Sequence, residues 1–459
     1  MKSEKINRLL LHVIILIVTL FIIVTSFTTV YAYGINPLEM SLKSKGALLF
    51  YADVYQFEGQ NEKNRVEVVY SLDVSQIQAV PSDNHAECHV QIKITDMTGR
   101  SIADLYEKKV IFLESEGADE NYAFVDLKKF EISPDTVRFV LSIYDSLNDK
   151  KGKIDEIIKI KKFTDQLSVS DPLFISYIQK AQENNIFVRH NLVMLPNPSR
   201  FYSVSQSNPD VMLYFEINNL TYNAGNPSTY SLACSIEDLQ GNEMRTLKKP
   251  ALSISSVNSA RMEKIDVTGL LSSVYRLHIQ LIDNESQVST STWKYFRIYT
   301  DESSEDLILP MAEEDIQKYY DQIKYITSDR EKSLYKKLDH KGKQQFLLQF
   351  WKSKDPYPET YENEFMEEHF RKLAYCEENF KGGINSDMAR IFIKYGQPMD
   401  IDRKHSAAGL SMAVEIWTYA VDGRTEFVFV DRIRDGHFVL VHSTHPDEYS
   451  NINWMNELK

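Results

Sequence analysis

Two stretches constrain the fold of this chain most: Val137-Arg138-Phe139-Val140-Leu141-Ser142-Ile143-Tyr144 and Tyr275-Arg276-Leu277-His278-Ile279-Gln280-Leu281-Ile282. Both alternate with a period of two, and both close on an aspartate, Asp145 and Asp283. A period of two belongs to a strand with one buried face and one wet face. Further short β-rich runs cover residues 47–55, 66–72, 88–94, 110–113 and 122–125, separated by turn residues. Residues 46–163 are therefore expected to form an antiparallel β-sandwich. Residues 167–299 read as a repeat of it. Asp96-Met97-Thr98-Gly99-Arg100 and Asp238-Leu239-Gln240-Gly241-Asn242 each follow a strand and run into a glycine turn. Two tandem Ig-like sandwiches explain both matches, and their separation is too long for a solenoid repeat.

A chain of 459 residues has room for about three domains. After Asp301-Glu302-Ser303-Ser304-Glu305-Asp306, an acidic join, the pattern changes. Ile316, Tyr319, Tyr320 and Ile323 recur at helical spacing, as do Phe346, Leu347, Phe350 and Trp351. These predict amphipathic helices over 311–326 and 333–351, the second broken around Asp339-His340-Lys341-Gly342. A polar loop through 404–409 precedes three alternating runs, 414–419, 426–430 and 437–442. Turns at Asp422-Gly423 and Arg434-Asp435-Gly436 make these a three-stranded meander. The expected architecture is multidomain and mainly β, with a C-terminal α+β domain over 310–459.

Lys2, Lys5 and Arg8 lead a nearly unbroken apolar run, residues 9–24, and Val30-Tyr31-Ala32 follows. Residues 1–32 read as a signal peptide cleaved after Ala32, with an inner-membrane anchor over 9–30 as the rival reading. Either places the rest of the chain in the periplasm or outside the cell. A net charge of −13 argues against a nucleic-acid partner. Cys88, Cys234 and Cys376 lie far apart, with no metal-ligand spacing, and read as buried thiols; a Cys88–Cys234 bridge stays open. No cofactor and no metal are expected.

The C-terminal third holds two word-like segments. The first runs Phe350-Trp351-Lys352-Ser353-Lys354-Asp355-Pro356-Tyr357-Pro358-Glu359-Thr360, then Asn363-Glu364. The second is Gly383-Ile384-Asn385-Ser386-Asp387, followed by Ala389-Arg390-Ile391-Phe392-Ile393-Lys394-Tyr395-Gly396-Gln397-Pro398 and, later, Glu415-Ile416-Trp417-Thr418-Tyr419. Together they resemble the GWxTD domain family, a C-terminal module of secreted bacterial proteins. Ile384 stands where that family has Trp, and Ser386 where it has Thr. The resemblance implies no established activity, but it suggests that Asn363, Glu364 and Arg371 matter.

The residues can also be read for themselves. Two prolines make residues 355–358 an elbow, and Thr360 is placed to cap a helix carrying Phe365, Phe370, Leu373 and Phe380. An Arg371 pairing with Asp355 or Glu364 would lock that elbow. Ser386 or Asn385 caps the next helix, Asp387 complements its dipole, and Met388, Ile391, Phe392 and Tyr395 form its buried stripe. Gly396 ends it in a left-handed conformation and Pro398 prevents resumption. Gly383 and Asp387 thus have structural explanations, whereas Arg390, off the stripe, is the better functional candidate.

Catalysis has weaker support. His405, His437, His442, Ser443 and His445 crowd the tail, but His437 and His442 are an odd number apart and face opposite sides of a regular strand. No metalloprotease helix, nucleophile elbow or phosphate loop accompanies them. The expected function is an exported envelope scaffold or protein-interaction protein, its partner an envelope protein or glycan. The alternative is an envelope hydrolase acting on peptide or glycan. An open cleft lined by Asp355, Arg390, Trp417 and His442 together would favour the enzyme; burial of those groups in one hydrogen-bonded cluster would favour the scaffold.

Overall fold

The computed structural model describes residues 39–80, 85–113, 123–181, 185–203, 209–225, 228–299, 313–356, 363–404, 412–421 and 423–458. Residues 1–32, read above as a signal peptide or anchor, the acidic join, Tyr357, Pro358, Thr360 and all but the first residue of the 404–409 loop lie outside these. The chain divides into two compact units, Asn36–Met311 and, grouped with residues 1–35, Ala312–Lys459.

Both β-rich stretches belong to the first unit, which is built from sandwich-like pairs of sheets. One sheet runs Leu42–Lys43, Phe50–Glu58, Asn64–Asp73, Ala123–Ile132; another runs Lys45–Gly46, Lys150–Lys159, Thr136–Asp145, His85–Asp96, Ser101–Phe112. Val54, Val68 and Tyr70 of the first share a core with Val90, Ile92, Phe139 and Leu141 of the second. The second half repeats this scheme. Leu173–Lys180, Asp210–Asn218 and Ser259–Asp266 lie side by side in a six-stranded sheet. A five-stranded one runs Phe201–Ser203, Ser289–Tyr299, Ser273–Asp283, Thr229–Glu237, Glu243–Ser253. Phe174 of the former packs against Phe296 of the latter with ring centroids 5.8 Å apart.

The two five-stranded sheets share their strand order, and the paired turns share their chemistry. Asp96 Oδ1 accepts from the amides of Thr98 and Arg100, both at 2.9 Å, with Gly99 at φ +88°. Asp238 Oδ1 accepts from those of Gln240 at 2.9 Å and Asn242 at 2.8 Å, with Gly241 at φ +80°. An aspartate that caps its own turn, followed by a residue free to take positive φ, fixes both hairpins. Cys88 and Cys234 are buried free thiols, so the bridge left open by their spacing is not formed.

Strand Phe50–Glu58 is buried along nearly its whole length. Phe50, Ala52 and Val54 point into the first core. Tyr55 and Phe57, with Val69 and Leu127, pack instead against Leu173, Ile175, Met194 and Tyr214 of the second half. Its sheet is therefore an inner layer, covered on both faces, and such strands carry little polar alternation.

In the Ala312–Lys459 unit, helices α1 (Glu313–Ile323), α2 (Asp329–Tyr335) and α3 (His340–Lys354) precede α4 (Glu364–Asn379) and α5 (Asp387–Tyr395). The break before α3 falls where the sequence places it, and Asp339 caps the resumed helix at the amide of Gly342, 2.8 Å away. The cap of α4 is Asn363 and not Thr360: its Oδ1 accepts from Met366 N at 2.8 Å, and its Nδ2 donates to Trp351 O at 2.5 Å. This start sets the helical phase, burying Met366, Phe370 and Leu373 and leaving Phe365 exposed. The meander has four strands, not three: Asp400–Lys404 joins Ala413–Tyr419, Thr425–Asp431 and Phe438–Ser443. Its five residues are exposed or half-buried, so no apolar alternation marked them.

Ile175→Ala tests the shared inner layer. The side chain is fully buried, so truncation is expected to cost about 2–5 kcal/mol. Hydrogen exchange should show the amides of Ile143 and Ile279 losing protection together; a loss confined to one half would contradict a shared core.

Candidate functional site

The segment Gly383–Asp387 is a folded turn in which each letter has a physical task. Gly383 sits at φ +54°, and a Cβ there would lie 2.0 Å from the Glu377 carboxylate, which accepts from the amide of Ile384 at 3.2 Å. Ile384 is buried. Ser386 Oγ caps α5 by accepting from Ala389 N at 3.1 Å, and it donates to Gly383 O at 2.9 Å. Asn385 instead takes the Lys324 ammonium at 2.7 Å. Asp387 occupies the first turn of α5 and also reaches the sheet, accepting from Leu440 N at 2.9 Å. Gly396 ends α5 at φ +78°, ψ −153°, a region only glycine adopts with ease, and its carbonyl accepts from Tyr419 OH at 2.9 Å.

Arg390, the leading candidate, is an ion-pair partner. Its guanidinium donates to Glu448, whose side chain is only 4% exposed, and lies 3.6 Å from Asp387. Lys394 reaches the other oxygen of Glu448 at 2.5 Å, and Tyr395 OH donates to it at 3.3 Å. Burial raises the pKa of Glu448, but Lys394 and Arg390 outweigh it and hold the carboxyl below its ordinary value of 4.5. Burial and the Glu448 carboxylate push Tyr395 up to about 12. One carboxylate thus ties the C-terminal tail to a full face of α5.

The tail has a further anchor. His442 Nδ1 accepts from Asn451 N at 3.1 Å. Trp454 covers the sheet face formed by Val414, Val428, Val430 and Val441. Trp417 belongs to the opposite face, 5.6 Å from Phe380 and 4.8 Å from Phe429, with its indole N–H donating to Glu415 at 3.0 Å. The histidine parity argument needs correction. The last strand begins after His437, and its register shifts so that Leu440 faces Phe429 and His442 faces Val428. That irregularity breaks the count on which opposite faces depend.

The remaining candidates sit at helix ends. Asp355 is the half-buried residue that caps the C-terminal end of α3, Asn363 the buried cap of α4, and Glu364 the first residue of α4. Arg371 pairs with Glu368 at 2.9 Å on its own exposed helix face, which is a different contact from the elbow lock expected. Arg390, Trp417 and His442 therefore serve three separate sets of contacts, and Asp355 stands apart from them at the end of α3. A cavity of about 440 Å³ in this unit is lined by Met399, Asp400, Thr418, Tyr419, Gly423 and Arg424, and by none of those four.

The sequence reading missed a buried cluster of charge in the Asn36–Met311 unit. Arg200 grips Asp53 through two hydrogen bonds, Nε at 2.6 Å and Nη2 at 2.5 Å, with both side chains 1% exposed. Its Nη1 donates to the carbonyls of Glu39 at 2.6 Å and Tyr295 at 3.0 Å. Lys294 donates to Asp53 Oδ1 and to Val54 O, both at 3.1 Å. Asp171 accepts from Gln56 N at 3.0 Å and pairs with Lys161. Burial pushes the Lys294 ammonium down to about 8, against the pull of Asp53. A lone Asp in an apolar strand is the signal that could have found this network, since a charge buried there requires a partner.

No family model matches the chain, and no curated protein matches it. Among solved structures it is similar to Parabacteroides merdae β-glucuronidase, at a TM-score of 0.17 and 9% identity, over 50% of this chain and 28% of that one. A calcium-binding mutant of Bacteroides uniformis β-glucuronidase 2 matches at a TM-score of 0.17 and 9% identity, over 52% of this chain and 28% of that one. The chain spans little more than a quarter of those proteins' length, and a likeness of this size says nothing of what it does.

Two outcomes follow from the ion clusters. Asp53→Asn strips Arg200 and Lys294 of their carboxylate and should cost about 3–5 kcal/mol in urea unfolding of the full chain; a loss within error of zero would show that the pair is not buried as described. Glu448 has a depressed folded pKa, so its contribution is present above pH 4.5 and is lost as pH falls through the folded value. The protection factor at Phe392, its exchange rate set against the intrinsic rate at the same pH, should therefore fall on acidification below that pH in the wild type, and Glu448→Gln should flatten the acid limb.

Proposed function

We propose that the protein is an exported scaffold of the bacterial cell envelope that binds an envelope protein through its C-terminal unit. In this reading, residues 1–32 direct export and are removed or retained as an anchor. Two tandem Ig-like sandwiches carry a C-terminal domain of the GWxTD kind.

The observation that carries the reading is the fate of the candidate residues. Arg390, Tyr395 and Asp387 hold α5 to the tail and sheet, and His442 holds the tail from the other side. A reactive site needs a group free to meet substrate, whereas these groups spend their hydrogen bonds on positioning. What they position is a tail that exposes Ile452 at 86%, Met455 at 64% and Tyr449 at 59%. Apolar and aromatic side chains on a fixed support are the material of a protein interface.

The test is affinity capture from envelope extract with the full chain, comparing wild type with Ile452→Glu/Met455→Glu. Both side chains face solvent, so the fold should survive, as circular dichroism would check. One partner lost on substitution supports the reading. An unchanged partner set, with hydrolysis of envelope peptides or glycans by the wild type, would replace it with the hydrolase.

A further inference from the structure

The buried ion network of the Asn36–Met311 unit opens onto a cavity of about 160 Å³, lined among others by Glu39, Gln56, Lys161, Asp171, Thr292 and Lys294. Two of these are charged groups with almost no solvent exposure, Lys294 and Asp171, each 3%. An ammonium has three protons to donate. Lys294 gives one to Asp53 Oδ1 and one to Val54 O. For the third, Asp171 Oδ2 stands at 4.0 Å and the Tyr55 ring centroid at 4.7 Å, and neither is at hydrogen-bond distance. The third proton thus faces an ion pair and a ring and not a hydrogen-bond acceptor, which leaves it able to take an oxygen placed in the cavity.

Charge decides which kind. Lys161, Lys294 and Arg200 are balanced by Glu39, Asp53 and Asp171, so the lining and the groups behind it sum to zero. A free anion or cation would enter with no net attraction and would lose its hydration. A neutral hydroxyl suits the gap in both directions: its oxygen accepts from Lys294 and its proton goes to Asp171. Lys161 and Thr292 supply further polar atoms around the same space. The volume is below that of a drug-sized pocket and suits a single small ring.

We infer that this cavity binds a neutral polyhydroxylated ring, a single sugar unit, with Lys294 and Asp171 bracketing one of its hydroxyls. The unit is either a free monosaccharide or the terminal residue of a glycan. The site stands on the Asn36–Met311 unit alone and does not rest on the interface proposed for the other unit, so either can fail without the other.

Saturation-transfer NMR on the full chain tests it with glucose, galactose, N-acetylglucosamine, their methyl glycosides, soluble oligosaccharides ending in the same residues, and inorganic phosphate. Binding of at least one sugar in the millimolar range is expected, weakened at least about tenfold in Lys161→Met and in Thr292→Val. These variants leave the Asp53–Arg200 pair intact, and Lys294→Met serves as a third where it folds. Oligosaccharides that bind as tightly as the matching methyl glycoside identify a glycan end, and binding by free sugars alone identifies a monosaccharide. No sugar signal with folded wild type, phosphate binding in preference to every sugar, or sugar binding indifferent to all folded variants would overturn the assignment and leave a site for water only.

Discussion

The Asp53–Arg200 pair is the constraint on which the larger unit depends. Asp53 lies in the middle of a strand that is apolar but for Gln56 and Glu58 and is buried from Phe50 to Phe57. A carboxylate there would prohibit the fold if it were alone. The bidentate guanidinium removes that penalty and, because it comes from the second half of the unit, also dictates where that half must sit. Apolar contacts such as Tyr55 and Phe57 against Leu173 and Ile175 supply attraction but tolerate sliding. A two-point hydrogen bond does not. Arg200 itself sits at φ +54°, held by its amide on Asn197 Oδ1 at 3.1 Å, so the turn that presents it is also specified.

The smaller unit uses the same device with a different geometry. Its sheet must bury two faces with few residues, and it covers one with α4 and α5 and the other with the C-terminal tail, through Trp454. A tail without regular strand pairing has little to fix its path, which is where Glu448 acts. Three donors from one helix face converge on that carboxylate, and their combined pull exceeds the burial that would otherwise neutralise it. Arg390 looked functional because it lay off the apolar stripe of α5. Its partner stands 58 residues later, in a segment with no periodicity to announce it.

What was legible follows from this. Period-two runs and glycine turns after an aspartate revealed strands in both halves, because those signals are local and repeat at Asp96 and Asp238. The cap and stop of α5 were legible for the same reason, in Ser386 and Gly396. The start of α4 was misplaced by three residues because Thr360 and Asn363 are both good caps, and the choice falls to a tertiary contact, Asn363 on Trp351 O. Strand Asp400–Lys404 was invisible since its pairing partner and not its own pattern makes it a strand. The ion network was missed because Asp171, Arg200 and Lys294 are each unremarkable in sequence and acquire meaning only when buried with Asp53.

The outer edges of the first unit show a different pressure. Ser101–Phe112 and Glu243–Ser253, twelve and eleven residues long, are the end strands of their sheets among the described residues. Such edges invite pairing with another chain. Lys108, Lys109, Lys248 and Lys249 lie on them, and several of these are engaged: Lys108 with Glu87 at 2.7 Å, Lys109 with Asp126 at 2.7 Å, Lys249 with Glu263 at 2.6 Å. A second chain docking on either edge would have to desolvate those pairs without replacing them. The lysines therefore act against edge-to-edge association, which directs any partner away from the sheet edges and toward surfaces where apolar groups stand without charge beside them.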